Sequence, residues 1–329
     1  MTELLPPVWT PRADPAQVAE VAARIAATGL EVQRDRPLGP LTTFGIGGPT
    51  AVFVEPSDVA QLVAMLRALG DSAPDDVPVL VLGRGSNLLV SDAGFPGIVV
   101  RLGKGFAGVH RDGDQVTAGA AMTMPQLAAW SAKQGLAGLE FAAAIPASVG
   151  GSVRMNAGAH GGEVGDHLVS AEVMLAPDGE SQTLARAALG LAYRHSELPA
   201  RSLVVAAKWQ LSPDEPATIK SRLDRHREYR RATQPLRARS CGSTFTNPEG
   251  DSAGRIVEAA GLKGLRIGGA RVSEKHANFI VVDSGTRATD VLAVIVEVRR
   301  AVLAAGGPRL EPEVRVVGDF DNGHVTDPT

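Results

Sequence analysis

Cysteine is almost absent from this chain of 329 residues, in which Cys241 is the only one. A single cysteine excludes an intrachain disulfide framework and every metal motif that needs several cysteines, and it favours a reducing, cytoplasmic location. No His-Glu-x-x-His pair is present either. We therefore expect no metal site.

Long apolar runs and blocks of charge are also missing. No run approaches the roughly 18 residues of a membrane span, and the segment from Met1 to Pro11 has no long apolar core, so we expect no signal peptide. The formal net charge is -3 without a charged terminal block. The sequence thus predicts neither a nucleic-acid nor a membrane partner, and it favours a small soluble ligand.

The remaining composition is that of a folded protein, since 44% of the residues are hydrophobic and the length allows two or three compact units. Asp14 and Pro15 predict the start of a helix whose apolar stripe holds Val18, Val21 and Ile25. Similar patterns predict further elements in this half: strands at 51–54, 79–82, 88–90 and 98–100, and helices at 57–70 and 123–134.

A domain boundary is predicted near Ser212 to Pro216, where two prolines and two acids precede an arginine-rich helical segment. We therefore expect domains at 1–212 and 213–329, and we interpret the arginines from Arg222 to Arg239 as mostly a solvated helix face. The second unit is predicted to contain a strand near Thr244, helices at 252–260 and around 291–302, and strands at 278–282 and 313–317.

The first candidate for ligand binding is the loop Gly83-Arg84-Gly85-Ser86-Asn87-Leu88, which follows a predicted strand. It is not a dinucleotide-fold fingerprint, because the sixth position is Leu88, another strand follows, and no ribose-binding acid stands about 20 residues later. Its backbone N–H groups, with the Ser86 hydroxyl and the Asn87 amide, can instead form an anion site such as a pyrophosphate cradle. A tight glycine turn between strands explains the loop equally well.

A second candidate is the segment from Ile145 to Gly158, which consists largely of small residues. A flat ring system can lie against such a ribbon of exposed backbone, although a tightly packed core loop would have the same composition. Two such segments in one half, without a Gly-Lys-Ser/Thr phosphate loop, favour an extended cofactor, and FAD has the right shape.

The chain resembles the UDP-N-acetylenolpyruvoylglucosamine reductases, flavoenzymes also called MurB, nearly from end to end. The resemblance rests on blocks in a fixed order: 42–48 (TTFGIGG), 83–88 (GRGSNL), 145–162, 193–196 (YRHS), 242–248 (GSTFTNP), 261–264 (GLKG), 272–279 (VSEKHANF) and 310–315 (LEPEVR). It implies an α+β fold: an FAD-binding domain of the vanillyl-alcohol-oxidase type, made of two subdomains, followed by a smaller C-terminal substrate-binding domain.

The resemblance also implies the reaction, which is NADPH-dependent reduction of UDP-N-acetylglucosamine enolpyruvate to UDP-N-acetylmuramate via FAD. Arg194, Ser243 and Glu313 match the three catalytic positions, with the final strand returning Glu313 to the site. Arg194 would hold the substrate carboxylate, a protonated Glu313 would donate a hydrogen bond to the developing charge, and Ser243 would donate a proton. We expect a monomer.

Cofactor and substrate residues follow from the same resemblance. Asn247 and Lys263 match positions expected on the uridine diphosphate side of the substrate. The expected FAD contacts are Gly83, Gly85, Ser86, Asn87, Leu88, Gly119, Ile145, Pro146, Ser148, Gly150, Gly151, Asn156 and Gly158.

The sequence departs from the family in three places. Ala147 stands where many relatives have glycine, Arg154 is bulkier than expected, and the short link after Trp209 places the chain in the subgroup without an extra tyrosine loop. Cys241 is interpreted as a buried small residue, because hydride chemistry needs no thiolate.

Two other functions remain open on the sequence alone. One is a different flavin oxidoreductase of the same cofactor fold, acting on a sugar or hydroxy acid, which would not need Arg194, Ser243 and Glu313 together. The other is a UDP-sugar-binding module without catalysis, which would lack stoichiometric FAD.

Overall fold

The computed structural model describes residues 8–9, 13–70, 76–199 and 201–320. The segment before residue 12, for which no signal peptide is expected, lies outside these ranges apart from Val8–Trp9. In the described part of the chain no helix is long and apolar enough to cross a bilayer, and no three His, Cys, Asp or Glu side chains converge as a metal site.

Seven α-helices and nineteen strands, several only two residues long, form the described fold. The helices are α1 (Pro15–Ala27), α2 (Val59–Leu69), α3 (Met124–Lys133), α4 (Val149–Arg154), α5 (Pro216–Thr233), α6 (Ala253–Ala259) and α7 (Ala288–Ala304). The strands are β1 (Val8–Trp9), β2 (Val32–Pro37), β3 (Pro49–Val54), β4 (Val79–Val81), β5 (Leu88–Val90), β6 (Phe95–Val100), β7 (Val109–Asp112), β8 (Gln115–Gly119), β9 (Leu136–Ala137), β10 (Gly158–Ala159), β11 (Gly162–Glu163), β12 (Leu168–Leu175), β13 (Glu180–Ala185), β14 (Ser202–Gln210), β15 (Ser212–Pro213), β16 (Arg266–Ile267), β17 (Ala270–Val272), β18 (Ile280–Val282) and β19 (Arg315–Val317).

The first subdomain packs α1 and α2 against a four-stranded sheet in the order β2-β3-β6-β4. The predicted start of α1 is confirmed: the Asp14 carboxylate accepts from the N–H groups of Ala16 and Gln17 and so satisfies donors that have no partner within the helix. The stripe that includes Val18 and Ile25 is fully buried.

The second subdomain is a five-stranded antiparallel sheet in the order β13-β12-β14-β8-β7 with α3 and α4 packed against it. Trp209 on β14 is completely buried, and its indole N–H donates to the carbonyl of Val164. Thr123 and Gln126 form a reciprocal cap at the start of α3. The predicted helix in this region is therefore confirmed.

Helix α5 packs on the second subdomain rather than on the C-terminal unit. Its two buried residues, Ile219 and Leu223, belong to the core of that subdomain. Arg222 links the helix to the same side through ion pairs with Glu140 and Asp214. We propose that the C-terminal domain begins after α5 and not at residue 213, where the sequence predicts the boundary.

The C-terminal unit places α6 and α7 around the small sheet β16-β17-β18. The predicted stripe of the last long helix is confirmed, since Val291, Ile295 and Val298 of α7 are fully buried. Ser252 caps α6 by accepting from the N–H of Arg255, and the chain leaves α6 through Gly261, whose φ is +71°.

A parallel sheet of three distant segments, β1-β19-β5, joins the C-terminal unit to the cofactor half. Arg315 is paired with Leu88, and Val8 is paired with Val316. Strand β5 follows the loop 83–87, here called the glycine loop, and β19 follows Glu313. The register of these strands therefore brings the loop and the predicted catalytic acid together.

Two predicted elements are corrected by the structure. The helix predicted at 57–70 is shorter, Val59–Leu69, because Asp58 caps it by accepting from the N–H of Gln61. The predicted strand near Thr244 is only an isolated bridge between Phe245 and Pro312. The Thr244 N–H donates to the carbonyl of Asn278 instead of to the opposite Glu313, whose carbonyl accepts from the Asn87 side chain, so the bridge does not extend into a ladder.

Asp92, which follows β5, caps α7 across the junction between the two halves. Its carboxylate accepts from the backbone N–H groups of Ala288 at 2.7 Å and Thr289 at 3.1 Å. Asp92 lies far from α7 in the sequence. The cap therefore holds the C-terminal unit against the half of the chain that carries the predicted cofactor loops.

We predict that Asp92→Ala lowers the free energy of unfolding by about 1 kcal/mol, because two N–H groups at the start of α7 lose their acceptor. Denaturant unfolding of the holoprotein measures this change. Asp112→Ala, at an exposed residue of β7, is the matched control and should stay within about 0.5 kcal/mol of the original chain. Equal effects of both substitutions would contradict the capping role.

Candidate active site

The loop Gly83–Asn87 between β4 and β5 offers a row of free donors. None of its five backbone N–H groups donates to an acceptor within the described residues. Gly85 has a φ of +58°, and a Cβ there would lie 2.5 Å from the carbonyl oxygen of Leu41 and 2.7 Å from the Cα of Thr42. Successive unpaired N–H groups in a glycine-shaped loop suit a diphosphate, so the loop fits the predicted FAD.

The second predicted ribbon lies directly against this loop. A Cβ on Gly83 would clash with the hydroxyl oxygen of Ser148. Ser148 is buried and caps the short helix α4 by accepting from the N–H of Gly151, while Gly150 donates to the carbonyl of Ala120. The two segments predicted as cofactor cradles therefore lie side by side, as an extended cofactor requires, and the surface that they form together is called the cleft.

The other expected cofactor residues surround these two segments. Leu88 and Ile145 are buried, whereas Pro146 is exposed. The N–H of Gly119 donates to the carbonyl of Gly108, and a Cβ on Gly119 would clash with the carbonyl of Phe106, so packing alone requires a glycine there.

Asn156 is fully buried and its side chain is used within the protein. Its amide N–H groups donate to the Glu163 carboxylate at 2.8 Å and to the Ala192 carbonyl at 3.1 Å, and its oxygen accepts from the N–H of Gly165. This side chain is therefore not a free donor for a cofactor. It holds the β10–β11 hairpin beside the turn that carries Arg194.

Arg194 lies in that turn with a φ of +57°, a conformation that side chains other than glycine rarely adopt. Its Nε donates to Glu313 Oε1 at 3.0 Å, and its Nη2 donates to the carbonyl of Gly158 at 2.9 Å. Its guanidinium carbon lies 4.7 Å from the ring centroid of Tyr193. Three contacts thus orient the guanidinium group, while Nη1 keeps its donors for another acceptor.

Glu313 is mostly buried, with 16% of its side chain exposed. Burial raises the pKa of its carboxyl above the ordinary value, because a charged carboxylate is poorly solvated there, and the nearby Arg194 only partly offsets this. Its backbone N–H donates to the carbonyl of Thr244 at 2.8 Å, and its carbonyl accepts from the Asn87 side chain at 3.0 Å. The acid is thus held between the Ser243 segment and the glycine loop.

Ser243 directly precedes Thr244 and follows Gly242, whose φ is +84°. Its side chain is half-buried, and its hydroxyl has no hydrogen bond to the residues that the structure describes. The structure therefore joins Arg194 and Glu313 directly and reaches Ser243 through the backbone contact between Glu313 and Thr244.

Cys241 is buried beside this segment, as predicted. Burial raises the pKa of its thiol far above the ordinary value, and the negative charge of Glu313 adds to the effect. A thiol of this kind stays protonated at neutral pH and is not a nucleophile.

The expected substrate residues have partners within the protein. Asn247 is exposed; its side-chain oxygen accepts from the N–H of Ala253 at the start of α6, and its own N–H donates to the Tyr193 hydroxyl at 3.3 Å. Lys263 is ion-paired with Glu258 at 2.6 Å. Asn247 is thus linked to the Arg194 turn. Lys263 has no hydrogen bond or ion pair with that turn among the residues that the structure describes.

Tyr193 was not singled out from the sequence, although it is one of only two tyrosines and 48% exposed. Its hydroxyl contacts Asn247 and its ring faces Arg194. Arg154, the unexpectedly bulky residue, points away from the ribbon and donates to the carbonyls of Leu198 and Ser202. It therefore secures the segment that follows the Arg194 turn.

Comparisons with known proteins agree with this geometry. A family model described as "FAD binding domain" matches residues 49–185, and one described as "UDP-N-acetylenolpyruvoylglucosamine reductase, C-terminal domain" matches residues 234–317. UDP-N-acetylenolpyruvoylglucosamine reductases from Sphingopyxis alaskensis and Acidiphilium cryptum are each 46% identical, over 86% and 92% of this chain and 93% and 94% of their own. The crystal structure of the reductase (MurB) from Thermus caldophilus has a TM-score of 0.76 and 37% identity, covering 88% of this chain and 99% of its own.

The fold and the cleft define an FAD-dependent oxidoreductase with a separate C-terminal domain, which confirms the predicted α+β fold class. The chain belongs to the UDP-N-acetylenolpyruvoylglucosamine reductase family. The predicted cofactor pair, FAD and NADPH, is that of this family.

Gly85→Ala is predicted to lose most of the bound FAD, because the added methyl group must displace the backbone at Leu41 or Thr42 and with it the row of N–H donors. The ratio of flavin to protein absorbance after purification measures the loss. Gly113→Ala is the matched control: its φ is +57°, but nothing lies within 4 Å of the added Cβ. Full FAD retention by the Gly85 variant would contradict the proposed cradle.

The raised pKa of Glu313 predicts a pH-dependent effect on stability. The native state keeps this proton to higher pH than the unfolded chain does, so the contribution of Glu313 to stability is present at low pH and is lost as the pH rises through the raised pKa. Glu313→Gln cannot ionise. Relative to the original holoprotein, its free energy of unfolding should therefore increase between about pH 4 and about pH 8 in denaturant titrations. A constant or decreasing difference would contradict the raised pKa.

Proposed function

We propose that the chain reduces the enolpyruvyl ether of UDP-N-acetylglucosamine enolpyruvate to UDP-N-acetylmuramate, with NADPH as the electron donor. Family membership supports this substrate, and one geometric observation carries the proposal: Arg194 Nε lies 3.0 Å from the oxygen of the buried Glu313. A guanidinium beside an acid of raised pKa suits a reaction that generates negative charge next to a carboxylate.

The residues that would hold FAD are the N–H groups of Gly83–Asn87 for its diphosphate and the ribbon around Ser148 for its ring system. When bound, FAD would supply the hydride-transfer chemistry that links NADPH to the terminal carbon of the enolpyruvyl group.

Arg194 has the role of binding the substrate carboxylate. Nε and Nη2 are held by Glu313 and Gly158, which leaves the Nη1 donors for the ligand. Hydride arrival at the terminal carbon moves charge onto the ether-bearing carbon and the carboxylate. A fixed, permanently charged group stabilises this enolate-like species more than the substrate, because the species carries more negative charge than the substrate carboxylate does, and this lowers the barrier.

Glu313 has the role of a neutral hydrogen-bond donor. Burial raises the pKa of this carboxyl above its ordinary value, which shifts the balance towards the protonated form. Oε1 accepts from Arg194, so the second oxygen is the one assigned to carry the proton. A protonated carboxyl can donate a hydrogen bond to the developing charge, which an ionised carboxylate would repel.

Ser243 is the proposed proton donor to the ether-bearing carbon. A hydroxyl is a weak acid, and the enolate-like intermediate is basic enough to accept its proton when the two are in reach. The hydroxyl has no hydrogen bond to the described residues, so it is free to point at the ligand.

The uridine diphosphate side of the substrate is assigned to Asn247 and Lys263. The contact with the Tyr193 hydroxyl supports a position of Asn247 next to the Arg194 turn. Tyr193 is proposed to take the place of the tyrosine loop that this subgroup lacks. The ion pair of Lys263 with the exposed Glu258 is worth little in water and can be exchanged for a phosphate.

The wider assignments follow from the reaction. UDP-N-acetylmuramate is a precursor of peptidoglycan, so we place the chain in cell-wall biogenesis, with consequences for cell shape and division. The nucleotide-sugar substrate and the single cysteine support a cytoplasmic location, and we propose a monomer.

The decisive experiment is anaerobic and has two steps. NADPH should bleach the absorbance of the bound flavin, and the enolpyruvyl UDP-sugar should then restore it. Bleaching without recovery would favour a flavin oxidoreductase with another substrate. Purified protein without flavin absorbance would favour a UDP-sugar-binding module.

Ser243→Ala is predicted to leave bleaching by NADPH unchanged and to slow recovery by the enolpyruvyl UDP-sugar about 10²- to 10⁴-fold, the range for one general acid. Stopped-flow absorbance follows both steps separately. Ser212→Ala, at an exposed residue of β15, is the control and should behave as the original chain does. If Ser243→Ala recovered at full rate, its role as proton donor would be withdrawn.

A further inference from the structure

Asn87 occupies an unusual position at the end of the glycine loop. Its backbone N–H is the last of the five that have no acceptor among the described residues. Its other polar groups are engaged by the end of the chain: the side-chain Nδ2 donates to the carbonyl of Glu313 at 3.0 Å, and its own carbonyl accepts from the N–H of Arg315 at 3.1 Å. One residue thus faces the cofactor cradle and holds the segment that carries the acid.

The Glu313 carbonyl accepts no second hydrogen bond within the ranges that the structure describes. On its other side the N–H of Glu313 is bound to the carbonyl of Thr244, and the Glu311 carbonyl accepts from the N–H of Thr246. Without the Asn87 side chain, the backbone of Glu313 itself would be held only towards the Ser243 segment, and the cofactor loop would reach this part of the chain only through Arg315.

We propose that Asn87 is a positioning residue that makes the orientation of the Glu313 carboxyl depend on occupancy of the cofactor loop. A diphosphate bound by the N–H groups of Gly83–Asn87 orders this loop. The hydrogen bond from the Asn87 side chain then fixes the backbone of Glu313, and this aligns the Glu313 carboxyl with Arg194. The proposal deepens the proposed function and rests on it for its catalytic part, but the structural coupling itself requires only FAD.

The structural coupling is tested by hydrogen exchange of the backbone amides of residues 311–316, measured in the apoprotein and after FAD addition. FAD should slow exchange of this segment several-fold in the original chain and should have little effect in Asn87→Ala. Asn87→Asp is measured in parallel, because it keeps the shape of the side chain but has no N–H to donate when ionised. Equal slowing in the original chain and either variant, or no slowing in the original chain, would overturn the proposal.

The catalytic part is tested by a double-mutant cycle between Asn87→Ala and Glu313→Gln in the two-step flavin assay. In Asn87→Ala, with both rates referred to the FAD-loaded protein, recovery should slow about tenfold more than bleaching by NADPH does, the upper range for one neutral hydrogen bond. If Asn87 acts through Glu313, the double variant recovers no more slowly than Glu313→Gln alone.

Ser86→Ala is the matched control in the same loop, because the Ser86 side chain has no hydrogen bond to the Glu313 segment. Its effect should multiply with that of Glu313→Gln. If the slowing of recovery by Asn87→Ala instead multiplied with that by Glu313→Gln, Asn87 would act only as a cofactor contact, and the proposal would be overturned. Failure of the original chain to recover with the enolpyruvyl UDP-sugar would refute the proposed function instead, while the exchange measurement would still decide on the coupling.

Discussion

The site depends on one contact between an arginine and an acid that come from distant parts of the chain. Arg194 and Glu313 are 119 positions apart, yet Nε and Oε1 lie 3.0 Å from each other at 20% and 16% side-chain exposure. Such a pair is not a strong source of stability, because removing both groups from water costs about as much as their attraction returns. It survives because the backbone on each side is fixed independently.

That fixation explains the arrangement of the fold. The register of β19 on β5 sets the Glu313 segment beside the glycine loop, and Asn156 connects the β10–β11 hairpin with the turn of Arg194. Asp92 secures the C-terminal unit on the same strand edge. Hydrogen bonds therefore join the two halves beside the residues of the site.

Local features of the fold could be predicted well from the sequence, because caps and apolar stripes act over a few residues. Asp14 with Pro15, Thr123 and the α7 stripe are examples. The glycine loop and the small-residue ribbon were also located, although only the family resemblance identified Arg194, Ser243 and Glu313. The bond from Asn87 to Glu313 spans 226 positions, and the left-handed turn at Arg194 has no local signal; both follow from tertiary packing. The predicted strand at Thr244 was wrong because the Thr244 N–H donates to Asn278 and not to the opposite residue, Glu313.

The positive φ of Arg194 has an evolutionary consequence. A side chain in this region carries conformational strain that glycine would not. Drift at this position towards glycine would relax the turn while removing the guanidinium, so under the role proposed for Arg194 selection for stability and selection for catalysis oppose each other there. Under that role, arginine at such a strained point marks retained activity, and relatives that have lost it are the ones in which to look for a changed function.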